Sequence, residues 1–124
     1  MAITTVNIFD PLKQVKLPPL MAITDGSEKV IIGLIDGPVD AGHAGLVGAR
    51  LRELASAPNR PCSLVTSAAC RHGTFVAGML CASRQFLPSA ICPGCTLLVH
   101  PIFSASGNEA GGIPTQSRKR SPPR

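Results

Sequence analysis

The stretch Val30-Ile31-Ile32-Gly33-Leu34-Ile35 is apolar without interruption, largely β-branched, and ends abruptly in Asp36-Gly37-Pro38. Such a run predicts a strand over residues 29–35 buried on both faces, as in a parallel sheet. Asp36 then lies at the strand's carboxyl end, where open α/β sheets form their sites. Downstream, His72-Gly73-Thr74-Phe75-Val76-Ala77-Gly78 opens an element whose spacing predicts a helix over 73–83. Phe75, Val76, Met79 and Leu80 fall on one face of it. Gly73, Ala77 and Gly78 are small enough to admit a neighbouring sheet, and Gly78, costly in mid-helix, calls for a packing reason. A second apolar run over 96–100 predicts another strand, limited by Pro101. Strand, helix and strand in this order, with apolar strands, make an α/β pattern.

An acid ending a buried strand and a histidine opening a small-residue helix form an acid–base pair. Asp36 can accept a hydrogen bond from one ring nitrogen of His72 and so hold one tautomer. The other ring nitrogen is then free to take a proton from a hydroxyl. Asp36 and His72 are therefore the candidate catalytic residues. No serine in a nucleophile setting accompanies them.

These two motifs carry a family resemblance. IGLIDGPVDAGHAGL, from Ile32 to Leu46, resembles the aspartate motif of the subtilisin-like serine proteases, the subtilases, with Asp36, Asp40, His43 and Leu46 at the matching positions. RHGTFVAGML resembles the histidine motif, with His72, Gly73, Thr74, Val76, Ala77 and Gly78 matching. ICPGCTLLVHPIF resembles the segment that follows, a Pro-containing turn feeding a strand on the substrate side. Asp before His is the subtilase order, and DGPVD, with Pro38 in place of the usual Gly, looks most like the proteases that mature cyanobactin-type peptides. The resemblance covers roughly 29–103. It implies a partial subtilisin-like three-layer α/β fold with a parallel sheet, truncated after its N-terminal part. It also implies serine endopeptidase chemistry on a peptide or protein substrate, with no cofactor and no metal, and a complementing C-terminal segment as a possible partner.

The chain departs from the family where the nucleophile belongs. No Gly-Thr-Ser-Met-Ala-type motif occurs, and the Ser-Ala pairs at Ser67, Ser89 and Ser104 lack that context. Ser106-Gly107-Asn108-Glu109 is similar to the family's oxyanion-hole string, but it directly follows the second strand, so Asn108 reads as coincidence. Neither an oxyanion residue nor a nucleophile is assigned, and the substrate-binding residues stay unknown. Whether the chain is an enzyme is thus left open beside a second reading, an inactive fragment or pseudoprotease that binds peptides or a partner chain. A frameshift or early end near 104–117 fits the change in character there, and Met21 offers an alternative start.

Bulk properties bound the rest. The 124 residues allow one small domain. We expect a loosely structured lead-in over 1–28, the partial catalytic domain over 29–103 and a disordered basic tail over 104–124. Pro11, Pro18 and Pro19 speak against helices in the lead-in. Residues 44–56 read as a short helix, and 57–71 mostly as loop with a short strand over 63–66. The net charge of +5 comes largely from Arg118, Lys119, Arg120 and Arg124, without interleaved aromatics, so no nucleic-acid partner is expected. No membrane span or secretory leader is read, and the default location is cytoplasmic. The five cysteines are then expected to be reduced small hydrophobes. Cys92-Pro93-Gly94-Cys95 is open to a redox or zinc reading, and together with the basic tail it leaves a third and weaker hypothesis, a small Cys-rich metal or nucleic-acid module. Asp40 and His43 are expected to brace the loop after the strand, and His100 to face solvent or a polar partner.

Overall fold

A computed structural model describes residues 10–54, 62 and 65–103. Three parallel strands form one sheet in the order β1-β3-β2: β1 is Ile31–Asp36, β2 is Arg50–Glu53 and β3 is Thr96–Pro101. Two single-turn helices, α1 (Pro11–Gln14) and α2 (Pro18–Met21), precede the sheet, and the long helix α3 (Ala68–Cys81) crosses from β2 back to β3.

The centre of the sheet belongs to β3. Leu97 and Val99 are fully buried there, and register places Leu97 between Ile32 and Leu51, and Val99 between Leu34 and Glu53. Alternation therefore turns Ile32, Leu34, Leu51, Leu97 and Val99 to one face. Helix α3 covers that face with Ala77 and Cys81, while Val39 and Leu46 close the core from the loop. The opposite face carries Ile31 and Ile35, which are 62% and 68% exposed. The expectation of a strand buried on both faces thus fails for β1. It is an edge strand, and among the described residues only one of the two layers that would sandwich the sheet is present.

Three further expectations are corrected. Residues 44–56 hold a short 3-10 turn, Ala44–Leu46, and then β2 instead of a helix. Gly48, at φ +89, reverses the chain between them, and the alternation of Arg50, Leu51 and Arg52 suits a strand with only Leu51 turned inward. The prolines of the lead-in start helices instead of breaking them, because each occupies the first turn, where no intrahelical donor is required. The side chain of Arg84 secures that region, donating to the carbonyls of Met21, Thr24, Ala90 and Ile91 at 2.8–3.1 Å. Lastly, α3 begins at Ala68 and not at residue 73, because the Ser67 hydroxyl accepts the Cys70 N–H at 3.2 Å and caps it. Of the expected strand over 63–66, residues 63 and 64 lie outside the described residues, while Val65 and Thr66 form a turn and not a strand; the tail over 104–124 lies outside the described residues.

Candidate active site

Asp36 ends β1 in backbone contact with the central strand. It pairs with Pro101, and its carbonyl accepts the Ile102 N–H at 2.8 Å. Its carboxylate Oδ1 accepts two hydrogen bonds, from the Gly37 N–H at 2.6 Å and from His72 Nδ1 at 2.8 Å. A carboxylate has no proton to give, so Nδ1–H is the donor and Nε2 carries the free lone pair. The acid side chain is 17% exposed and the histidine 64%. The pair therefore sits at the rim of the sheet with the acid sheltered and the ring open to solvent. Among the described residues, no hydroxyl or thiol is hydrogen-bonded to Nε2.

Helix α3 reaches Asp36 through a close approach that only glycines permit. A Cβ on Gly73 would sit 2.5 Å from the carbonyl oxygens of both Gly37 and Pro38, and one on Gly37 would collide with the Ala69 carbonyl. The helix and the Asp36-Gly37-Pro38 turn interlock backbone to backbone, which brings His72 within hydrogen-bond reach. Thr74 fastens the same junction, its hydroxyl accepting the Asp40 N–H at 2.9 Å. His72 projects from the helix flank, in its second turn, and not from the N-terminus. The packing reason expected at Gly78 is absent, since a Cβ there would meet nothing. Gly73 carries that role. Phe75 and Met79 are likewise exposed, and the buried face of α3 is Cys70, Gly73, Ala77 and Cys81.

The supporting residues fall as expected at two positions. The Asp40 carboxylate accepts the Gly42 N–H at 3.0 Å, and His43 Nδ1 accepts the Gly45 N–H at 3.1 Å while its ring meets Phe86 edge-on at 5.6 Å. At His100 the expectation is corrected: Nδ1 is buried and has no hydrogen-bond partner among the described residues. Ser67 is committed to capping α3. Asn108 and Ser104 lie outside the described residues. An open groove of about 540 Å³ runs along α3, lined by Arg71, Thr74, Phe75, Met79, Phe86 and Leu87 among others; neither Asp36 nor His72 lines it.

The cysteines depart from the expectation of five free thiols. Cys62 and Cys70 form a disulfide that anchors Cys62 to the first turn of α3, while Cys81, Cys92 and Cys95 are free. Among the described residues, no group of three or more His, Cys, Asp or Glu side chains is placed to hold a metal ion. No helix among them is long and apolar enough to cross a membrane.

No family model matches the chain, and no curated protein matches it either. Solved structures do. The protease domain of PatA, in a serine-to-alanine variant, matches at 30% identity with a TM-score of 0.59, over 64% of this chain and 29% of that one. The prenylagaramide maturation protease PagA matches at 26% identity with a TM-score of 0.52, over 77% of this chain and 28% of that one. The chain thus spans less than a third of the solved structures it matches. The α/β fold with its parallel sheet corresponds to part of a subtilisin-like protease domain, and the relationship read from the two motifs is supported by maturation proteases of this kind.

Proposed function

We propose that this chain carries the aspartate–histidine half of a serine endopeptidase site. One observation carries the reading: the Asp36–His72 hydrogen bond of 2.8 Å at the carboxyl end of a strand, in a fold similar to protease domains. In this role Asp36 holds the ring with Nδ1 protonated and offsets the charge that develops on the imidazolium. His72 Nε2 accepts the proton of a serine hydroxyl as it attacks the peptide carbonyl, then returns it to the departing amine. The serine and the oxyanion donors belong to a complementing segment of the same domain type. Residues 29–103 are the unit that supplies the pair, and a peptide or protein is the substrate.

A chimera tests this directly. Residues 29–103 are joined to the part of the PatA protease domain that this chain does not match, and a fluorophosphonate serine probe is applied. The chain alone stays unlabelled and the chimera is labelled. His72→Ala abolishes labelling, and Asp36→Asn lowers peptide hydrolysis by about 10⁴-fold, the scale seen when the acid of such a triad is neutralised. Full activity of the His72→Ala chimera would sink the proposal, and labelling of the chain alone would show that it contains its own nucleophile.

A second reading, a non-catalytic module that binds a peptide or a partner chain, is favoured by the apolar groove along α3. It expects peptide binding by the chain alone, unaffected by His72→Ala.

A further inference from the structure

The three free cysteines converge at the far end of α3 from His72. Cys81 ends the helix, and the chain returns past it with the Ile91 N–H on the Met79 carbonyl at 3.0 Å and the Cys92 N–H on the Leu80 carbonyl at 2.8 Å. Cys92-Pro93-Gly94-Cys95 is then a tight turn, closed by the Cys95 N–H on the Cys92 carbonyl at 3.1 Å. The ends of such a turn lie less than about 7 Å apart at Cα, which overlaps the span of roughly 4.4–6.8 Å that a disulfide bridges.

The side chains converge as well. A Cβ added to Gly26, which adopts φ +98, would lie 2.5 Å from Cys95 Sγ and 3.4 Å from the Cβ of Cys92. Both cysteines therefore reach over the same bare glycine. Cys81 and Cys95 are buried, at 1% and 3% exposure, and Cys92 alone of the three is partly open to solvent. That gives an accessible thiol for an external reagent to meet and a sheltered one beside it to complete the exchange. The chain already holds one disulfide at Cys62–Cys70.

We propose that Cys92 and Cys95 form a second disulfide by exchange with a small external disulfide such as oxidised glutathione, and that Cys81 remains a thiol. The Cys92 thiolate attacks one glutathione sulfur, the glutathione S–S bond breaks, and the departing thiolate takes up the proton Cys92 gave to solvent. The Cys95 thiolate then attacks Cys92 Sγ in the mixed disulfide and releases the second glutathione, which is protonated in turn. The two cysteines lose two electrons and two protons, and glutathione gains them. The bond closes the turn that feeds β3, the strand that fixes the backbone of Asp36.

Trypsin separates the alternatives. Cys81 falls in the tryptic peptide 72–84, while Cys92 and Cys95 share the peptide 85–118. The full chain is equilibrated with oxidised glutathione at mildly alkaline pH, quenched in acid, unfolded, alkylated, digested and weighed. The expected result is peptide 85–118 lighter by two hydrogens and unalkylated, with Cys81 alkylated; Cys92→Ser and Cys95→Ser each remove that species. A crosslink between peptides 72–84 and 85–118 would overturn the proposal. So would a stable glutathione adduct on Cys92, or two alkylated cysteines in peptide 85–118. The wild-type digest decides the matter even if a variant fails to fold.

Discussion

At the scale of single residues, the Asp36–His72 hydrogen bond fixes a tautomer. With Nδ1–H committed to the carboxylate, neutral His72 should show the Nδ1-protonated pattern in its ring ¹⁵N shifts. Asp36→Asn removes the acceptor preference and should shift the population toward the Nε2-protonated form, because an amide can turn its NH₂ toward Nδ1. Unchanged shifts in the variant would mean that the carboxylate does not set the ring. A second residue-scale prediction concerns Cys92, whose thiol is pushed up to about 12, by burial first and then by the neighbouring Cys81 and Cys95. Arg50, Arg84 and Asp25 are charged side chains held beside this turn, Arg50 donating to the Gly94 carbonyl at 3.1 Å. Against an ordinary value of 9.0, the neutral-pH thiolate is scarcer by about a thousandfold, and its higher intrinsic nucleophilicity recovers roughly half of that on a logarithmic scale. Alkylation of Cys92 at pH 7 should therefore run about 30- to 100-fold slower than in the unfolded chain. The linked stability has a definite sign. An acid whose folded value is raised holds its proton longer in the folded state, so its contribution is complete below about pH 9 and is lost as pH rises toward about 12. Iodoacetamide rates and urea melts across that range test both statements.

At the scale of elements, the interlock of α3 with the Asp36-Gly37-Pro38 turn is the feature most exposed to mutation. Gly73→Ala places a carbon 2.5 Å from two backbone carbonyls that have no side-chain freedom to yield. The helix must then move off the turn, at a cost of about 1–3 kcal/mol or more, and the 2.8 Å contact of His72 with Asp36 lengthens. Chemical denaturation reads the first effect and the His72 ring shifts the second. Gly78→Ala is the control, since that position opens on free space and alanine is the better helix former. Arg84→Ala removes four charge-assisted bonds to carbonyls. It should cost about 2 kcal/mol and raise hydrogen exchange over residues 18–26 in particular. The elements differ in how far the sequence disclosed them. β1 and β3 were legible because apolar, β-branched runs have few other readings, Asp36 because it ends such a run, and His72 because it precedes the small-residue run Gly73 to Gly78. β2 was hidden, since a strand with one inward residue, Leu51, has too little periodicity to outweigh a helical spacing of leucines. The start of α3 was signalled by Ser67 before Ala68 and Ala69, a cap pattern overshadowed by the motif that follows it. The roles of Gly37 and Gly73 arise only from the meeting of two segments far apart in sequence, and no local pattern carries that information.

At the scale of the whole molecule, the sheet has one covered face and one bare face. Ile31 and Ile35 stand out from the bare face of β1, and among the described residues β1 is itself an edge, with no strand paired on its outer side. On the other side of the molecule, Phe75 at 65% and Phe86 at 56% exposure wall the groove along α3. Monomeric proteins rarely leave contiguous apolar patches of more than a few hundred Å² open to water, and an open edge strand is a template for pairing. The chain on its own should therefore associate as its concentration rises, with a sedimentation coefficient that increases across the micromolar range. The two surfaces make different contributions that substitutions can separate. Ile35→Lys puts a charge on the bare sheet face beside the open edge, the device by which natural edge strands resist pairing, and it leaves the core face of β1, with Ile32 and Leu34, untouched. Phe75→Ser thins the groove without touching the buried stripe of α3. If association runs through the sheet, Ile35→Lys restores the monomer and Phe75→Ser does not; if it runs through the groove, the outcomes reverse. A wild-type chain that sediments as one species at all concentrations and melts in a single sharp transition would show that its apolar surfaces are stable in water as they stand, and the need for a complementing segment would fall with them.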